Sequence, residues 1–150
     1  MAITQAMATS FKVEILDGIH NFGTGVVRAS TTADTFKIAL YTSSATLSAS
    51  TTAYTTSGEV ASTGNYSAGG NTLTISQAPT STSTTAWLDF ADTTWSNATI
   101  TANGALIYNH TQSDKAVCVL AFGGDKTSTA GDFTIIFPAF DASNAIIRIA

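Results

Sequence analysis

The chain has 150 residues, and only 11% are charged (6 Lys+Arg, 10 Asp+Glu; net charge −4), while 27 are Thr and 16 are Ser. A hydrophobic fraction of 44% with so little net charge excludes intrinsic disorder. The absence of a basic surplus speaks against a general nucleic-acid binder, and Cys118, the one cysteine, excludes an intrachain disulfide framework.

The first predicted element is a short helix over residues 3–17. Ile3, Met7, Phe11, Ile15 and Ile19 recur every four residues, a stripe that drifts only slowly around a helix, and Gly18 suits the left-handed position after its end. From residue 35 the period changes to two. Phe36, Ile38 and Leu40 alternate with Lys37, Ala39 and Tyr41, which predicts a strand over 35–42. Residues 43–58, rich in Ser, Thr and Ala, read as a long loop. Val60 suits the start of a short strand, and Gly64, Gly69 and Gly70 around Tyr66 mark turns. Leu73 and Ile75 predict a strand over 72–77 that Pro79 closes. A Ser/Thr run at 80–85 precedes a strand through Trp87, Leu88, Asp89 and Phe90.

Asn103-Gly104, between two β-prone segments, predicts a tight hairpin turn. Residues 116–122 contain no polar side chain and predict a strand buried on both faces, ended by Gly123-Gly124-Asp125. Strands at 133–137 and 145–149 complete the series. With no composition break and no helix between strands, the chain reads as one all-β domain. The expected fold is an antiparallel β-sandwich or jelly roll of about eight or nine strands with a short N-terminal helix.

No catalytic constellation emerges. Gly124-Asp125-Lys126-Thr127 has an aspartate where a phosphate loop needs glycine, and Gly23-Thr24-Gly25 has Arg28 in place of the third glycine of a dinucleotide fingerprint. Cys118 lies inside an apolar strand, where burial suppresses the thiolate, so it reads as a small hydrophobe and not as the nucleophile of a pair with His110. His110 reads as a surface residue and His20 as a capping group. Asp125 and Asp132 lack a calcium-loop pattern and read as turn formers. Trp87 and Trp95 leave open a sugar-binding platform. The expectation is no catalytic residue, no cofactor and no metal site.

Several segments resemble those of small tailed-phage virion structural proteins. They include Phe36-Lys37-Ile38-Ala39-Leu40-Tyr41 with the rest of 34–47, then Thr51-Thr52-Ala53-Tyr54 with Gly58-Glu59-Val60 and Tyr66-Ser67-Ala68-Gly69-Gly70. Asp89-Phe90-Ala91-Asp92 with Trp95, Gly104-Ala105-Leu106-Ile107-Tyr108-Asn109, Phe122-Gly123-Gly124-Asp125-Lys126 and Ala145-Ile146-Ile147-Arg148-Ile149 continue the likeness. Residues 23–32 depart from it by their length. The best match is to head decoration or cement proteins. The resemblance implies a non-enzymatic virion structural protein that stabilises the phage head from its outer surface and is assembled in the host cytoplasm. Implied partners are the major capsid protein and copies of the chain itself, as dimer or trimer, with no nucleic acid, membrane or small-molecule substrate. A tail, baseplate or fibre component is the alternative, and a sugar-binding β-sandwich module a second. The apolar stripe of Ile3, Met7, Phe11 and Ile15 is the candidate assembly contact.

Overall fold

A computed structural model describes residues 3–16, 19–24, 33–83 and 85–149. The fold is all-β. The elements are β1 (Ala6–Met7), α1 (Thr9–Leu16), β2 (Phe36–Tyr41), β3 (Asn71–Thr72), β4 (Ile75–Thr82), β5 (Thr85–Phe90), β6 (Thr93–Asn109), β7 (Lys115–Ile135) and β8 (Ile147–Ile149). Two antiparallel sheets pack together as a sandwich: a five-stranded sheet ordered β1-β7-β6-β2-β3 and a three-stranded sheet ordered β4-β5-β8. The chain crosses between sheets at residues 73–74, 91–92 and 136–146.

The alternation in β2 places its two faces against different layers. Phe36 faces the three-stranded sheet, where its ring lies 5.8 Å from that of Phe90, and Phe90 in turn lies 6.0 Å from Phe137. On the other side Phe36 stacks on Phe22 at 4.4 Å, and Phe22 meets Phe11 of α1 edge-on at 6.1 Å. This aromatic ladder runs through the core from the N-terminal segment to the crossing loop. Tyr41 points to the opposite face, where its hydroxyl donates to Thr55 O at 2.6 Å. The long segment 43–70 covers that face, so all of 38–41 is buried.

The predicted helix over 3–17 is α1 alone, eight residues long, and the chain before it is extended. Ile3 forms a parallel bridge with Leu47, and β1 pairs with Cys118 and Val119 of β7. The backbone N–H groups of Ala8 and Thr9 donate to the Val117 and Ala49 carbonyls, bonds that a helix begun at residue 3 would have closed internally, and Thr4 N donates to Leu47 O. A spacing of four residues suits a strand as well as a helix, because four is a whole number of two-residue repeats. The expected cap Gly18 and residues 25–32 of the long 23–32 segment lie outside the described residues.

Asn103-Gly104 is not a turn. Both residues lie inside β6, where Gly104 pairs with Tyr41 on one side and with Ala121 on the other. Glycine is needed there for close approach: a Cβ would sit 2.5 Å from Leu120 O and 2.8 Å from Ile3 Cδ1. Gly123-Gly124-Asp125 does not end the neighbouring strand either. Residues 122–125 bulge out opposite Asn103, with φ of 72° and 144° at the two glycines, and pairing resumes at Lys126 opposite Ala102. The hairpin turn between β6 and β7 lies at 110–114, where Ser113 and Asp114 have φ of 56° and 58°.

Further expectations shift. The strand over 72–77 is split, because residues 71–72 belong to one sheet and residue 75 begins a strand of the other. Pro79 sits within β4 and does not close it. β4 is an edge strand, and Pro79 falls in a register shift between Gln77 and Thr80, where no ladder bond is lost. Glu59 forms an isolated bridge with Tyr41, and no strand begins at Val60. Among the described residues no helix is long and apolar enough to cross a membrane.

Candidate assembly surface

The four residues of the predicted contact stripe differ in exposure. Phe11 is fully buried, with its ring 4.7 Å from His20 and edge-on to Phe22. Ile3, Met7 and Ile15 are partly buried and pack against the core. Ile15 lines the cleft beside Trp87 and Met7 a shallow cleft with Pro138 and Ile146, so part of the stripe remains at the surface.

Two polar clusters fix the irregular segments to the sheets. In the first, Asn109 of β6 donates from Nδ2 to Asp34 Oδ2 at 2.8 Å and lies 3.1 Å from His20 Nδ1. Its Oδ1 accepts from Gln112 N at 3.1 Å, and Asp34 N donates to Asn21 O at 3.0 Å. His20 thus reaches across to β6. The second cluster centres on Glu59. Oε1 accepts from Tyr66 OH at 2.8 Å and from Gly69 N at 2.7 Å, and Oε2 accepts from Tyr54 OH at 2.6 Å. Tyr66 OH also accepts from Leu40 N at 2.9 Å, and Tyr108 OH donates to Gly69 O at 2.7 Å. Burial is the main reason why Tyr41, Tyr54, Tyr66 and Tyr108 all hold their protons well above the ordinary tyrosine range, and the Glu59 carboxylate adds to it.

The remaining titratable candidates are accounted for locally. Cys118 is buried, and burial pushes its thiol up to about 12. His110 is exposed in the hairpin turn, with Nδ1 2.7 Å from Asp114 Oδ1. Asp125 Oδ1 accepts from Asn103 Nδ2 at 2.8 Å, and Asp132 Oδ1 accepts from Asn97 N at 3.2 Å. Among the described residues no three His, Cys, Asp or Glu side chains are grouped to hold a metal ion. Asp89 is fully buried in β5. Its Oδ1 accepts from Phe90 N at 2.8 Å, Oδ2 has no hydrogen-bond partner among the described residues, and burial raises its pKa. Trp95 is buried against Tyr66 and Phe133, so it offers no ring to a sugar, and Trp87 lines an apolar cleft of about 390 Å³ with Pro79 and Ile149.

Apolar surface is instead presented where the chain leaves β7. Ile136 is 77% exposed and Phe140 63% exposed, both in the loop that crosses to β8. Ile136 lines a groove of about 530 Å³ with Phe122, Ile135, Pro138 and Ile146, together with Lys126 and Asp132. The groove lies along β7 beyond Val119, where β1 no longer covers the strand. In the sequence, 133–137 reads as one more core strand; only Pro138, just after it, signals that the apolar run leaves the sheet.

Compared with protein-family models, with curated proteins and with solved structures, the chain matches none.

Proposed function

We propose that the protein is a non-enzymatic structural subunit of a tailed-phage virion: a decoration or cement protein that binds the outer surface of the head and stabilises it. The observation that carries the assembly part of this reading is the exposure of Ile136 on an apolar groove, with Phe140 exposed further along the same loop. Large exposed apolar patches on small domains mark contacts with other proteins. The rest of the surface supports the same reading. Hydroxyls supply much of its polarity, as in the pairs Thr94–Thr134 and Thr101–Thr127 on the outer face of β6 and β7. Contacts built on such surface are little affected by ionic screening. The placement on a phage head rests on the resemblance carried by residues 34–47, 58–70 and 122–126.

The test is reconstitution. Shells of the accompanying major capsid protein, assembled without this chain, are titrated with the purified protein and followed by co-sedimentation and by the temperature of shell rupture. Saturable binding with a raised rupture temperature is expected. Binding to isolated tails and not to shells would move the protein to the tail, baseplate or fibre.

A further inference from the structure

We propose that residues 136–146, the segment that crosses from β7 to β8, form a pH-sensitive strap, which closes over Asp89 while that carboxyl is neutral and loosens when it ionises.

The site lies on the outer face of the three-stranded sheet. Trp87 pairs with Arg148 and Leu88 with Ile147. Asp89 therefore shares a strand face with Trp87, opposite to the core residues Leu88 and Phe90. That face points away from the core, yet Asp89 is fully buried. The crossing segment returns over this face. Arg148, on the same side as Trp87, donates from one guanidinium nitrogen to Ala142 O at 3.0 Å and to Ser143 O at 2.5 Å. At the other end of the segment Asp92 Oδ1 accepts from Phe137 N at 2.8 Å. Phe137 and Ala145 are buried at its two ends, with Pro138, Ala139 and Phe140 exposed between them.

Asp89 is the unfavourable member of this arrangement when charged. Its Oδ1 accepts from Phe90 N at 2.8 Å, but Oδ2 is buried with no hydrogen-bond partner among the described residues. An ionised oxygen in such a place costs far more than a neutral one. The charged groups around it do not relieve that cost. Asp92 and Asp141 carry the same sign, β4 on the other side of β5 has no ionisable side chain, and the Arg148 guanidinium is turned to the two carbonyls. Burial first, and then these two carboxylates, hold Asp89 above the ordinary aspartate range, while the Phe90 and Ile146 amides pull it the other way. A closed strap thus keeps a proton that an open one releases. Closure is complete in acid and weakens as the pH rises from the ordinary value of 3.8 through the raised one. Ile136 and Phe140 ride on this segment, so the state of Asp89 sets how the apolar rim is presented.

Amide hydrogen exchange of the full chain, read by NMR and corrected for the intrinsic effect of pH, tests the proposal. Protection of the Phe137 and Ala145 amides is expected to fall as the pH rises, by up to about tenfold for each pH unit within that window. The β6–β7 ladder should stay protected. Asp89→Asn, neutral at every pH, should keep both amides protected throughout. Asp92→Asn retains an oxygen for Phe137 N and removes one like charge, so it should shrink the fall at Ala145. The Asp89 side-chain carbon of the wild type should titrate above 3.8. Titration at or below that value would overturn the proposal, as would protection indifferent to pH, a fall shared by the β6–β7 ladder, or a pH dependence that persists in Asp89→Asn. Should Asp89→Asn fail to fold, the wild-type titration and Asp92→Asn decide.

Discussion

Glu59 holds three donors from three different places in the chain: Tyr54, Tyr66 and the backbone of Gly69. Its removal leaves those donors facing each other in a largely buried site. Glu59→Ala is expected to lower stability by about 3 kcal/mol, since each unsatisfied buried group costs about 1–3 kcal/mol; urea denaturation measures it. All four tyrosines of the chain belong to this corner, and each stays neutral beyond its ordinary value of 10.0. Below that pH folded and unfolded chains carry the same neutral tyrosines, and stability is undiminished. Above it the unfolded chain sheds protons that the folded chain keeps, so stability falls as the pH rises. An alkaline titration should therefore show tyrosinate absorbance appearing together with loss of the β signal. Tyrosines that ionise near pH 10.0 while the fold persists would contradict this placement.

At the scale of elements, the hairpin of β6 and β7 dominates the fold, and Gly104 lies where it is tightest. Gly104→Ala drives a methyl group into the Leu120 carbonyl and Ile3, and should destabilise the chain by about 1–3 kcal/mol or more. Gly64, which has open space around it, should cost less than Gly104 when changed to Ala; its left-handed φ of 59° sets a penalty of about 1 kcal/mol. Thermal unfolding of the two variants ranks them. This hairpin also marks how far local pattern carries. β2, β5 and the start of β7 follow from alternation or from an unbroken apolar run, because each is covered on both faces or faces the core with every second residue. Asn103-Gly104 has the composition of a turn, but two neighbouring strands hold it in register, and glycine serves there for proximity. The true turn, His110 to Asp114, is marked in the sequence only by an uninterrupted polar stretch. Ile3 and Met7 look helical because their spacing fits both periods, and their extended partners, Leu47 and Cys118, lie far along the chain.

At the scale of the whole molecule, the scarcity of charge becomes a property of the surface. Hydroxyls and amides bond along the outside of the ribbon and within its loops, and the few carboxylates are mostly tied to backbone or side-chain donors. The apolar rim at Ile136 and Phe140 stands apart from that pattern. Its position cannot be read from local sequence, because exposure there depends on where the chain crosses from the five-stranded to the three-stranded sheet. Of the candidate residues, Phe11 goes into the core, while Ile3, Met7 and Ile15 pack against it and stay partly exposed. A density map of the native phage particle tests the central claim most directly. The account predicts copies of the sandwich on the outer face of the head, with Ile136 and Phe140 turned against a neighbouring subunit. A sandwich found on the tail, or one on the head whose rim faces solvent, would contradict it.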